Sequence, residues 1–173
     1  MSNRTIQLPD KFIHPLFGND DLTYDETMNT VELMEVPFLL DLLDETEQFQ
    51  QRNIDRSVLC TSLFERWREE KVEISKMFSQ RNRQAARPKM IAGIRWFITL
   101  IYWTNKKKVK RLTHLKEELT LMEIQPVNLY ERLSFLMGNP DHYQSFIQLS
   151  QLYDEIEKMW MLEERKKQHM DNN

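Results

Sequence analysis

Met90-Ile91-Ala92-Gly93-Ile94-Arg95-Trp96-Phe97-Ile98-Thr99-Leu100-Ile101-Tyr102-Trp103 decides the fold. Wound as a helix, these residues are apolar around nearly the whole circumference. Only Arg95 and Thr99 draw a polar stripe. A helix of this kind belongs in the centre of a domain, surrounded by others. Fourteen residues with an arginine among them fall short of the ~20 apolar residues of a membrane span. Pro88 suits the first turn, so the spacing predicts a central helix over about 88–105.

Upstream, Cys60, Leu63, Phe64, Trp67, Ile74, Met77 and Phe78 recur at three and four, which predicts a helix over about 55–80. Pro37 would open a short helix carrying Phe38, Leu39, Leu40, Leu42 and Leu43. Residues 1–24, with Pro9, Pro15 and a polar turn at 18–21, read as an irregular arm lying on the domain through Phe12, Leu16 and Phe17. Downstream, Leu115, Leu119 and Met122 mark a shorter helix. Pro126 to Leu136 mark another, closed by Gly138 as a left-handed cap. Asn139-Pro140 read as the cap and first position of the longest helix, running to about Lys167. No strand alternation and no hairpin dipeptide competes. The expected architecture is all-α: a single domain over 25–173, with five to seven helices around residues 88–105.

Composition removes several chemistries. Only three glycines are present, and they lie far apart, so no phosphate-cradling loop or nucleophile elbow can form. One cysteine, Cys60, allows neither an intrachain disulfide nor a cysteine-rich zinc site. It falls on the apolar face of its helix and reads as a buried thiol. None of His14, His114, His142 and His169 has the spacing of a zinc or di-iron helix motif. His114 with Glu117 and Glu118 reads as a surface charge group. The expectation is a protein without catalytic activity and without a cofactor. The opening ten residues have no apolar signal core, and with the lone cysteine this suggests the cytoplasm.

Charge is divided along the chain. Residues 1–50 hold 2 bases and 11 acids, while residues 51–111 hold 16 bases and 5 acids. The ten bases from Arg81 to Arg111 stand without one acid: Arg81, Arg83, Arg87, Lys89, Arg95, Lys106, Lys107, Lys108, Lys110 and Arg111. Such a run can meet an anionic partner, or it can pair inside the fold. The expected balance is solvated helix ends, partly neutralised by the acidic N-terminal third. Arg95, mid-helix among large apolar groups, needs a carboxylate or a path to water, or else recognises an anionic ligand. The partner most consistent with these features is another protein. Nucleic acid, met through residues 81–111, is the alternative.

Four stretches carry a resemblance: His14-Pro15-Leu16-Phe17, Pro88-Lys89-Met90 running to Trp103-Thr104-Asn105, Pro126-Val127-Asn128-Leu129-Tyr130-Glu131-Arg132-Leu133, and Pro140-Asp141-His142-Tyr143 to Leu149. Together they resemble the YpoC-like family of Bacillus and its relatives. The resemblance implies a small helical cytoplasmic protein and carries no catalytic motif. It makes Asn105, Asn128, Glu131, Arg132, His142 and Tyr143 the candidate site residues. Asn128 and Glu131 also have the spacing of a helix N-terminal cap pair.

Overall fold

A computed structural model describes residues 2–44 and 54–173. Among them are seven α-helices and one small sheet, so the chain is mostly all-α. The sheet corrects the expectation of an irregular arm. Strand β1 (Asn3–Ile6) pairs antiparallel with β2 (Leu22–Asp25), with Asn3 opposite Asp25 and Ile6 opposite Leu22. Four polar-rich residues per strand are too few to show alternation in sequence. Between them a 3-10 turn (Asp10–Phe12) buries Phe12, and Leu16 and Phe17 pack on the core as expected.

Two short helices follow. In α1 (Thr30–Leu33) the Asn29 side chain accepts from the Glu32 backbone while the Glu32 carboxylate accepts from the Asn29 N–H, a reciprocal cap. Helix α2 (Leu39–Leu43) begins after Phe38 in the left-handed region, so Pro37 lies ahead of the helix rather than in its first turn.

The core is an antiparallel pair, α3 (Arg56–Ser79) and α4 (Arg83–Thr104). Asp55 caps α3 by accepting from the Ser57 N–H. Helix α4 starts five residues before Pro88, where Asn82 accepts from the Ala85 N–H at 3.1 Å. Fully buried Ala86 secures this extra turn, which is why the proline does not mark the start. Ile94, Phe97, Ile98, Leu100 and Ile101 have no exposed surface, as a helix apolar all round requires.

Helices α5 (Leu115–Thr120), α6 (Leu129–Gly138) and α7 (Tyr143–Asp171) complete the bundle. Three expectations about their ends change. Asn128 is left-handed with no side-chain cap bond, so it forms no cap pair with Glu131. Gly138 is the last residue of α6 and does not adopt positive φ. Asn139 and Pro140 belong to the turn before α7, and His142 stands at its N-cap. Helices α3, α4 and α7 meet at one node. Trp67 lies parallel to Tyr153 at 4.4 Å, and the Tyr153 hydroxyl donates to the Gly93 carbonyl at 2.6 Å. A Cβ on Gly93 would come within 2.6 Å of the Trp67 ring, so only glycine permits this approach. Cys60, buried on α3, has its thiol pushed up to about 12 by desolvation, as its apolar position implied.

Candidate functional site

The basic run is largely answered from within the fold, at two separate places. Arg83 opens α4 and Lys106 follows its end, so the clusters sit at opposite ends of that helix. At the first end Asp141 receives both Arg83, at 3.2 Å, and Arg87, at 3.7 Å. Lys89 reaches Glu70 at 2.8 Å, which also takes Arg66 at 3.1 Å. Arg81 is exposed, adopts positive φ, and has no partner among the described residues. At the second end Lys108 lies 3.6 Å from Asp44, and Arg111 donates to Glu118 at 2.6 Å. Lys106, also at positive φ, and Lys107 line a cleft of about 250 Å³ with Glu123, Glu163, Glu164 and Lys167, in which Glu164 pairs with Lys167 at 2.9 Å. Lys110 is exposed. Thus the neutralising acids come mainly from α3, α5 and the approach to α7. The N-terminal third answers this run with Asp44 and a backbone carbonyl.

That carbonyl belongs to Glu35, and Arg95 donates to it at 3.2 Å. Burial lowers the arginine's proton affinity and the nearby Glu35 charge opposes this. The Glu35 carboxylate itself is taken by Arg66 at 3.2 Å. The cavity beside Arg95 measures about 20 Å³, room for one water and no organic ligand.

Asp41 went unremarked in the sequence, although Leu39-Leu40-Asp41-Leu42-Leu43 carries the same signal as Arg95, a charge inside an apolar run. Its buried carboxylate accepts from the Trp103 indole N–H at 3.0 Å and the Val109 N–H at 3.0 Å, with Arg56 3.7 Å away. It ties α2 to the end of α4 and to the loop beyond. Burial raises its carboxyl to about 6 against these favourable bonds.

The six family-motif residues divide by what they touch. Asn105 is a staple: its amide donates to the carbonyls of Ile101 and Ile124 and its oxygen accepts from the Ile124 N–H. Arg132 is a lock between α6 and α7. It grips Glu155 through both carboxylate oxygens, at 2.8 and 2.9 Å, and donates to Gln148 at 3.1 Å. Both therefore have structural work. Asn128 and Glu131 face outward, and the Glu131 carboxylate has no partner among the described residues. With Arg132, Phe135 and Gln148 they line a shallow groove along α6 and α7. Phe135 is 43% exposed there and Val127, beside Asn128, is 76% exposed. His142 is exposed and gives no side-chain cap bond, and Tyr143 stands edge-on to Phe78.

Among the described residues no group of three or more His, Cys, Asp or Glu side chains could hold a metal ion. No described helix is long and apolar enough to cross a membrane.

Comparison with known proteins places this arrangement. No solved structure matches the chain. A match of 30% identity over 96 residues joins it to a Bacillus subtilis (strain 168) protein named "Uncharacterized protein YpoC". That match takes in 56% of this chain and 58% of the relative, so the chain spans less than two thirds of the relative's length. A family model described as YpoC-like protein matches residues 58–168, from the first turn of α3 to near the end of α7. It includes the Trp67–Gly93–Tyr153 node, the Asn105 staple, the Arg132 lock and the groove. The chain belongs to the YpoC-like family.

Proposed function

We propose that the chain is a cytoplasmic, non-enzymatic interaction module that receives a segment of another protein along the α6–α7 groove. One observation carries this reading. Exposed Phe135 lines the groove with Glu131, whose carboxylate has no partner among the described residues, exposed Val127 adjoins the lining Asn128, and Arg132 is fixed by Glu155. Exposed apolar groups rimmed by polar ones on a rigid helix pair suit a protein segment. The charge of Glu131 calls for a lysine or arginine in that segment, next to an apolar side chain seated on Phe135.

The test is photo-crosslinking in living cells. A photoreactive residue in place of Phe135 should trap a discrete partner, and Glu131→Arg in the same chain should abolish the product. The same probe in place of exposed Val72 on α3 is the control. No product at 135, or the same products at 72, would sink the reading. Nucleic-acid contact along the whole 81–111 run is less well supported, because Lys89, Lys108 and Arg111 are each already held by a carboxylate.

A further inference from the structure

One end of the bundle brings together groups that sequence separates by sixty residues. Helix α3 ends at Ser79, α4 begins at Arg83, and α7 begins at Tyr143. Two contacts bind these three ends. The rings of Phe78 and Tyr143 meet at 5.6 Å, nearly edge to face. Arg83 donates to the Asp141 carbonyl at 3.0 Å and to its carboxylate at 3.2 Å, and Arg87 approaches the other carboxylate oxygen. Arg81 joins them, bonded through its backbone N–H to the Phe78 carbonyl at 3.0 Å. Two guanidinium groups thus share one carboxylate, and the third, on exposed Arg81, has no partner among the described residues. Two residues beyond Asp141, Tyr143 is 58% exposed, although edge contact with Phe78 and packing on Phe146 hold its ring.

We infer that this end binds a single-stranded nucleic acid, with a base stacked on the Tyr143 ring and the flanking phosphates on Arg81, Arg83 and Arg87. An aromatic face held within a basic surface is the combination that sequence-tolerant strand binding uses. Guanidinium groups fit phosphate oxygens in pairs and stay charged at any physiological pH. The basic run alone gave no such reason, since no aromatic lies within its clusters; the fold supplies one from α7. This surface is separate in its residues from the α6–α7 groove and goes beyond the reading given for that groove.

The experiment is fluorescence anisotropy of the full chain with a labelled twelve-nucleotide oligothymidylate. Two or three phosphate contacts should weaken binding roughly tenfold between about 50 and 200 mM salt. Arg81→Glu, at a residue whose side chain no described group holds, should cut affinity about fivefold or more. Tyr143→Ala should do at least as much through lost stacking. The double variant Lys106→Glu and Lys107→Glu, at the far end of α4, should bind as the parent does. Absence of binding at about 50 mM salt would overturn the inference. So would equal loss in the lysine variant, or binding of a duplex as tight as that of the strand. A glutamate-rich peptide that displaced the strand at matched charge would assign the surface to acidic protein segments instead. Because Arg81→Glu removes no side-chain contact among the described residues, the result does not depend on how Tyr143→Ala folds.

Discussion

The two ends of α4 carry similar runs of bases and meet different fates. At the Lys106 end the cations lie among glutamates from the α5–α6 loop and α7, and Asp44 reaches Lys108. At the Arg83 end a single aspartate serves two arginines, a third has no described partner, and a tyrosine stands open beside them. Charge written along a chain is therefore a poor guide to charge presented to solvent. What decides is which acids the tertiary fold delivers, and from how far away.

The largest difference between the ends should appear in stability. Asp41, at the Lys106 end, satisfies two buried donors. Asp41→Ala leaves both without an acceptor and should cost about 2–4 kcal/mol, read from urea unfolding. Asp141→Ala removes exposed pairs and should cost less than about 1 kcal/mol. Equal losses would break the comparison.

A pH series sharpens it. Burial raises the Asp41 carboxyl from its ordinary 3.8 to about 6 in the folded chain. The folded chain therefore holds that proton more tightly than the unfolded chain does. The resulting stabilisation is complete below about 3.8 and is lost as pH rises through about 6. Across that window Asp41 should contribute a fall in stability of about 1 kcal/mol per pH unit. Subtracting the pH profile of Asp41→Asn isolates this slope. A difference profile that is flat would show that the carboxylate is solvated after all.

The smallest effect concerns the open end. Asp141→Ala removes the carboxylate that competes with phosphate for Arg83 and Arg87. Oligothymidylate affinity should rise about two- to threefold at low salt, with the excess vanishing at about 300 mM. A loss of affinity would mean that Asp141 positions the arginines rather than competing for them.

Much of this architecture was legible because local periodicity reports burial. The apolar circumference of 90–103 foretold the central helix, and the three-and-four spacing of Cys60 to Phe78 foretold its neighbour. Helix ends were less legible because several chemistries end a helix. Pro88 pointed to a start that Asn82 makes, and Gly138 suggested a turn that it does not adopt. The Asn29–Glu32 cap lay in plain view yet opens a helix only four residues long, with no apolar period to draw notice. The groove was half legible: the resemblance pointed to Asn128, Glu131 and Arg132, but only the packing of α6 on α7 shows that Arg132 is held while Glu131 has no partner among the described residues. Arg83 and Asp141 stand 58 residues apart, and no local rule connects them.

Cys60 has a practical consequence. Its thiol is buried and pushed up to about 12, so almost none of it is thiolate at neutral pH. Maleimide dyes placed on an engineered surface cysteine should leave it untouched, so the native residue need not be replaced before labelling. The same silence makes Cys60 a natural clock for opening: any modification of it counts the moments when α3 lifts from its neighbours.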